Sequence, residues 1–208
     1  MPHPALSKFD MASLGEDRAV LLIGRRAVGK SSLIKDILFH LEPNAERLAI
    51  FSPTFYGDFA PPECIRGCDP SLIADYVSKR SRACAREHAH VVIDDANNLR
   101  SNTSFRSLFV NGRCMRTAVI ASIQHPSSIG PWARGNVDYV FIFRDGLECT
   151  RKVTYDSYAA CVFPSFDAFA QAMDAVEEHE CLVIEMGSSE EDRAFWYTAE
   201  THDGFRIR

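Results

Sequence analysis

Short apolar runs alternate with amphipathic segments along the first two thirds of the chain. Each run is too short to be a typical helix and gives way to Gly, Pro or a polar residue, which favours buried strands. The five runs are Arg18–Gly24, Leu48–Ser52, His90–Ile93, Ala118–Ile123 and Val137–Phe143. Between them, Lys30–Leu41 has apolar residues at helical spacing and Pro70–His88 reads as a helix with a basic face. This alternation predicts an α/β protein with a mostly parallel sheet.

Past Arg144 the pattern changes and the acidity rises. Here we predict a helix over Ser165–Glu178, a strand over Cys181–Glu185 and a hairpin within Ala194–Ile207. No linker of biased composition separates this part from the rest. The chain therefore divides into an N-terminal arm (1–17), a core (18–145) and an acidic C-terminal extension of the same domain (146–208).

The net charge of −5 hides an uneven distribution. Residues 1–144 hold 18 Lys and Arg against 14 Asp and Glu, whereas residues 145–208 hold five against 14. The stretch Lys79–Arg116 alone carries eight basic residues. Because local fields matter more than the total for an anionic partner, the acidic balance does not exclude nucleic acid.

Cysteine usage and hydropathy bear on the compartment. Seven cysteines are scattered and odd in number, which argues against a secreted disulfide framework and for a reducing, intracellular setting. The pair Cys64 and Cys68 lacks the further ligands that a zinc site needs. No apolar run approaches the ~20 residues of a membrane span, so we expect a protein that is not integral to a membrane. The N-terminus also lacks the features of a signal peptide.

A phosphate-binding motif follows the first predicted strand. The segment from Gly24 to Ser31 matches G-x-x-x-x-G-K-[ST] in full, with a strand before it and an amphipathic helix after it. Glycines let backbone N–H groups turn towards phosphates, and the helix N-terminus adds a positive dipole. Lys30 would contact the β- and γ-phosphates of ATP, and the Ser31 hydroxyl would bind Mg²⁺. The residues predicted to bind the nucleotide are Gly24, Arg25, Arg26, Ala27, Val28, Gly29, Lys30, Ser31 and Ser32.

Two acids close the third predicted strand. Asp94 would bind Mg²⁺, directly or through water, while Asp95 would orient and deprotonate the attacking water. A second acid at this place indicates an ATP hydrolase rather than a nucleotide kinase. Together with the phosphate-binding motif from Gly24 to Ser31, the P-loop, this pair of acids predicts an α/β P-loop NTPase fold of the ASCE, RecA-like type. In that fold helices flank a mostly parallel central sheet, here with a small C-terminal α+β extension.

Three further polar residues are candidates for the catalytic machinery. Gln124 stands at the tip of the fourth predicted strand, where its side chain would sense the γ-phosphate. Arg113 and Arg134 each precede a core strand. Either one would serve as an arginine finger that reaches the γ-phosphate of a neighbouring subunit, and Arg113 is the preferred candidate.

Several motifs taken together resemble those of a known family. The runs VVIDDANNL (91–99) and ASIQHPSSI (121–129) are similar to the Walker B and sensor segments of FtsK–HerA DNA-pumping ATPases. More closely, LLIGRRAVGKSSLIKDIL, AIFSPT, LFVNGRCMRTAVIASIQ and RGNVDYVFIFRD resemble genome-packaging ATPases of nucleocytoplasmic large DNA viruses, the poxvirus-type group. The resemblance runs in order from about Arg18 to Asp145.

The resemblance implies an ATPase ring, a pentamer or a hexamer, that threads double-stranded DNA into a capsid without reading its sequence. It further implies docking on capsid or inner-membrane virion proteins, in the virion or at a cytoplasmic assembly site of the host cell. The chain departs from the pattern at two places. Asp95 stands where the FtsK branch usually has Glu, and Cys114 stands where the viral pattern often has His.

Two polar segments are candidates for contact with DNA phosphates, Asn97–Arg106 and the basic face of Lys79–Arg86.

A GTPase is excluded because the chain contains neither D-x-x-G nor N-K-x-D. A non-motor P-loop ATPase and a nucleotide kinase acting on a small acceptor remain the alternatives. DNA-stimulated turnover together with ring formation would discriminate between these classes.

Overall fold

A computed structural model describes residues 6–53, 56, 58–67, 69–82, 87–96, 99–187 and 193–208. Its centre is a nine-stranded sheet in the order β1-β9-β8-β7-β2-β6-β5-β3-β4. The strands are β1 (Ser7–Lys8), β2 (Ala19–Ile23), β3 (Leu48–Phe51), β4 (Ile65–Arg66), β5 (Ala89–Ile93), β6 (Thr117–Ile123), β7 (Tyr139–Phe143), β8 (Glu180–Glu185) and β9 (Ala194–Thr198). Every neighbouring pair is parallel except the two that involve β8. The predicted α/β P-loop NTPase fold class is therefore confirmed.

Six helices accompany the described strands. They are α1 (Lys30–Leu41), α2 (Pro70–Arg82), α3 (Thr103–Asn111), α4 (Pro131–Arg134), α5 (Glu148–Thr154) and α6 (Phe166–Ala175). Helix α5 continues directly into a π-helical turn, Tyr155–Ala159. Helix α1 has the predicted bounds, and its apolar stripe of Leu33, Ile34, Ile37 and Leu38 is fully buried.

The two faces of the sheet carry separate apolar clusters. Because side chains alternate along β2, Val20 and Leu22 join the cluster under α1, while Leu21 and Ile23 join the opposite one. Helices α2, α3 and α6 cover that second face. Each fully buried Leu or Ile contributes roughly 1.5–3 kcal/mol to stability. Helices on both faces explain why the central strands are apolar throughout rather than alternating.

Strand order brings the predicted phosphate-binding turn, Asp94 and Gln124 to one edge of the sheet. Strand β2 lies between β6 and β7, and β5 lies on the far side of β6. The P-loop follows β2, Asp94 follows β5, and Gln124 follows β6. Since these strands are parallel, their carboxyl ends meet at the same edge of the sheet.

The C-terminal third departs from the sequence prediction in its pairing. The hairpin expected within Ala194–Ile207 is wrong: β9 instead pairs antiparallel with β8, and residues 199–208 contain no strand. Strand β8 in turn pairs with β7, and β1, in the N-terminal arm, pairs with β9. The arm and the extension thus continue the central sheet.

Two further elements also differ from the sequence prediction. Helix α2 is described over Pro70–Arg82, and His88 is not helical, contrary to the prediction. Residues 83–86, which include Cys84, lie outside the described part of the chain, as does Cys68. The polar segment predicted over Asn97–Arg106 is partly helical, because α3 begins at Thr103 with Asn102 as its N-cap. Asn97 and Asn98 are outside the described residues. Among the described residues, the helices include none that is long and apolar enough to cross a membrane.

Candidate nucleotide-binding site

The chain turns sharply between β2 and α1. Ala27 and Gly29 have left-handed backbone conformations, with φ of 63° and 106°. At Gly24 a Cβ atom would lie 2.8 Å from both Phe143 Cβ and Val28 Cγ2. Gly24 is therefore required by close packing, and Gly29 by its backbone conformation. The turn ends at the N-terminus of α1, where unpaired N–H groups and the helix dipole favour an anion.

Lys30 lies folded over this turn. Its Nζ donates hydrogen bonds of 2.7 Å to the carbonyl oxygens of Gly24 and Arg25. Burial lowers the pKa of Lys30, while the nearby carboxylates of Asp94 and Asp95 act in the opposite direction. The ammonium group is thus held between the turn and two acids, where it can meet a phosphate.

Asp94 is buried and held by three hydroxyl groups. Ser122 donates to its Oδ1, while Tyr56 at 2.7 Å and Ser52 at 3.3 Å donate to its Oδ2. The Tyr56 oxygen also lies 3.4 Å from Ser31 Oγ, so one phenol connects the two predicted magnesium ligands. Burial, followed by the Asp94 carboxylate, raises the pKa of Tyr56 above its ordinary value, which keeps the phenol protonated as a donor.

The oxygen donors at this place suit a hard cation. A carboxylate and a hydroxyl are ligands of the kind that Mg²⁺ prefers, together with phosphate oxygens and water. Ser31 and Asp94 would hold the ion, with Tyr56 in contact with both. Sequence reasoning did not identify Tyr56, because it lies in a loop after β3 and belongs to no local motif.

Asp95 adopts a left-handed conformation with φ of 58°. Its N–H donates to Ser122 Oγ at 3.0 Å, and Gln124 Nε2 donates to its Oδ1 at 2.8 Å. Asp tolerates this conformation better than most residues, and such strain persists where the surroundings fix it. The Asp95 carboxylate is thereby positioned on the cavity side of β5 and β6, beside Gln124.

These residues surround one cavity of about 580 Å³. It is lined by Arg26, Ala27, Gly29, Lys30, Ser31, Ser32, Pro53, Asp94, Asp95, Gln124 and His179. Of the other predicted nucleotide ligands, Gly24 and Arg25 present carbonyl oxygens to Lys30, and Val28 packs against the core. His179 comes from the turn before β8 and was not identified from the sequence. Its Nδ1 lies 3.5 Å from the position of a Cβ at Gly29.

Arg113 and Arg134 lie elsewhere. Both line a second cavity of about 730 Å³, which also contains residues at the amino ends of β2 and β7. Arg113 pairs with the buried carboxylate of Asp138, which also accepts a bond of 3.3 Å from Arg18. The two arginines are therefore at the edge of the sheet opposite the P-loop of their own chain.

The glycine turn after β2, together with the acids that follow β5, places the chain among α/β proteins with a P-loop NTPase fold. No model of a known protein family matches it. It is 33% identical over 194 residues to the uncharacterized protein 075L of Invertebrate iridescent virus 6. The alignment covers 86% of this chain and 73% of 075L. The chain therefore belongs to the family of 075L. Protein L437 of Acanthamoeba polyphaga mimivirus is 25% identical over 220 residues, spanning 93% of this chain and 77% of L437.

Solved structures share the fold at much lower identity. B204, the DNA-packaging ATPase of Sulfolobus turreted icosahedral virus, aligns with a TM-score of 0.69 at 12% identity, over 90% of this chain and 100% of that chain. B204 of Sulfolobus turreted icosahedral virus 2, a genome-packaging NTPase in complex with AMPPCP, gives the same TM-score and coverage at 13% identity.

Proposed function

We propose that this protein is a Mg²⁺-dependent ATPase that moves double-stranded DNA into a viral capsid. The observation that carries the proposal is the convergence of Lys30, Ser31 and the Asp94–Asp95 pair on one cavity. A phosphate-binding turn, oxygen donors for a cation and a second acid are the parts that ATP hydrolysis needs. The fold shared with a DNA-packaging ATPase supports the coupling to DNA.

Each side chain has a distinct task in this proposal. Lys30 exchanges its two carbonyl partners for the β- and γ-phosphates, and backbone N–H groups of the turn surround the same oxygens. Ser31 and Asp94 hold Mg²⁺, which when bound neutralises developing charge on the phosphates. Asp95 orients the attacking water and accepts its proton as the bond to the leaving oxygen of ADP breaks.

Gln124 and the arginines connect hydrolysis to the assembly. Gln124 holds the Asp95 carboxylate and faces the same cavity, so it senses whether the γ-phosphate is present. Arg113, or Arg134 as the second candidate, would complete the site of the next subunit in a ring of five or six. Their position on the edge opposite the P-loop supports a role across an interface.

Several described basic side chains of the two candidate DNA segments have partners within the chain. Lys79 pairs with Asp75 at 2.7 Å, and Arg80 donates to the carbonyl oxygens of Glu87 and Met115. Arg106 lies 6.0 Å above the ring of Trp132. The exposed Arg82 and Arg100 are the better candidates for phosphate contact. The acidic extension would lie outside the pore, towards capsid or inner-membrane virion proteins.

The catalytic part of the proposal is tested by ATP hydrolysis in Lys30→Ala and Asp95→Asn. Both variants should lose at least about a hundredfold in kcat, because each removes a group that acts on the transferred phosphoryl or on water. Matched controls are Lys35→Ala on the same helix, whose side chain makes a partly exposed ion pair, and Asp75→Asn on α2, whose ion pair is exposed. Turnover that survives in both site variants would refute this assignment.

A further inference from the structure

A group of side chains of the types that bind metals lies on the C-terminal half of α1. Asp36 and His40 are one helical turn apart, and His202 reaches them from the C-terminal segment. His202 Nε2 lies 2.6 Å from Asp36 Oδ1, and His40 Nε2 lies 3.5 Å from the same oxygen. One ligand atom from each of the three residues lies within 4.8 Å of the other two.

These spacings approach those of a tetrahedral transition-metal site. Zinc binds imidazole nitrogen and carboxylate oxygen at about 2.0–2.2 Å, so its ligand atoms are separated by roughly 3.3 Å. Ligands at positions i and i+4 of a helix share one face, which is how two side chains of one helix reach the same ion. Closing around an ion requires only small changes in the side chains of His40 and His202.

The surroundings fix the orientation of the ligands. Asp36 is fully buried, and its Oδ2 accepts hydrogen bonds from the Tyr197 hydroxyl at 2.6 Å and the Glu200 N–H at 3.0 Å. Both imidazoles approach the other oxygen, Oδ1. The His202 ring stacks on Phe39 with centroids 3.6 Å apart. Partners of this kind raise metal affinity because they hold the ligands in place.

The group is accessible on the side of His40. An opening of about 250 Å³ is lined by residues of the N-terminal arm together with His40, Tyr197 and Glu200. His40 is 27% exposed and His202 12%. Water in this opening would supply the fourth ligand, as in zinc sites with three protein ligands.

We propose that Asp36, His40 and His202 bind a Zn²⁺-type transition-metal ion, which links the C-terminal segment, residues 199–208, to α1. That segment continues to Phe205 and Ile207, and Ile207 donates to the carbonyl oxygen of Phe59 at 2.9 Å. The ion therefore stabilises the packing of the chain terminus on α1. Binding of this ion does not depend on the nucleotide chemistry at the P-loop.

The test uses the full chain without a polyhistidine tag, freed of metal by chelation. Isothermal titration with Zn²⁺ should show one ion per chain, and affinity should fall at least tenfold in His40→Ala and in His202→Ala. The matched control is His88→Ala, because His88 also lies between carboxylates, those of Asp17 and Glu16. Its affinity should equal that of the wild type. Co²⁺ should give tetrahedral d–d bands without thiolate charge transfer, which separates this site from binding by cysteines.

Thermal unfolding gives an independent readout. Zn²⁺ should raise the Tm of the wild type and of His88→Ala, and should leave the Tm of His40→Ala unchanged. The partly exposed His40 makes this variant the more certain of the two to fold. Equal Zn²⁺ affinity in His40→Ala and wild type would overturn the proposal. So would a destabilisation by His202→Ala that is the same with and without Zn²⁺, since that result assigns the cluster to an Asp–His ion pair.

Discussion

Tyr56 links the two residues predicted to bind magnesium, and this contact gives a sharp prediction. Its hydroxyl donates to Asp94 and lies beside Ser31, so it competes with a cation for the same oxygens. In Tyr56→Phe the metal-free state loses a hydrogen bond of about 1 kcal/mol. The Mg²⁺ concentration for half-maximal ATP hydrolysis should therefore fall roughly threefold to tenfold.

Tyr76→Phe is the matched control for this measurement. The Tyr76 hydroxyl is buried with no hydrogen-bond partner among the described residues, so its removal should leave the magnesium requirement unchanged. An unchanged requirement in Tyr56→Phe as well would show that the phenol does not compete with the ion.

At the scale of residues, the sequence was informative where a motif coincides with the end of a strand. The sequence predicted that Asp94, Asp95 and Gln124 lie together, because parallel strands bring their carboxyl ends together, and all three line one cavity. Tyr56 and His179 were missed because they reach the P-loop from loops, Tyr56 beside Ser31 and His179 beside Gly29, and such contacts depend on tertiary packing. No local pattern encodes such contacts.

The junction of β2 and α1 is the element on which the site depends. In Gly24→Ala the new Cβ would meet Phe143 and Val28 at 2.8 Å, so the turn or the core has to move. The free energy of unfolding should fall by about 1–3 kcal/mol in urea denaturation. Nucleotide affinity should fall with it.

Gly146→Ala provides the comparison, because nothing lies within 4 Å of a Cβ at that position. Its unfolding free energy should stay within about 0.5 kcal/mol of the wild type. Equal stability of Gly24→Ala and Gly146→Ala would contradict the packing argument.

At the scale of elements, strands of apolar residues were predictable to within two positions, because burial on both faces leaves a continuous apolar run. Helix α3 was missed because its first turn, Thr103–Arg106, is mostly polar and resembles a loop. The predicted pairing of β9 was wrong because turn signals report only local pairing. Strand β9 instead pairs with β8, from which residues 186–193 separate it in sequence. The division into arm, core and extension stays a prediction.

For the assembled molecule, the proposal that Arg113 acts across a subunit interface predicts complementation. Arg113→Ala alone should lose kcat by on the order of 10³. When the Arg113→Ala and Asp95→Asn proteins are mixed, part of the activity should return. In mixed rings, some subunit interfaces combine an intact Asp95 of one subunit with an intact Arg113 of its neighbour. ATP hydrolysis measured over mixing ratios checks this.

Arg47→Ala is a suitable control, because Arg47 makes a partly exposed ion pair with Glu87. It should keep the activity of the wild type. If Arg113→Ala is inactive and mixing restores nothing, Arg113 does not act in trans, and Arg134 is then the residue to examine in the same way.

The most direct test of the motor proposal is ATP turnover with and without long double-stranded DNA, over a range of protein and salt concentrations. We expect turnover that rises with DNA, grows more than linearly with protein, and loses its DNA stimulation as salt is added. Turnover by a monomer that DNA does not affect, or phosphoryl transfer to a small acceptor, would contradict DNA packaging. The P-loop assignment would survive either of those results.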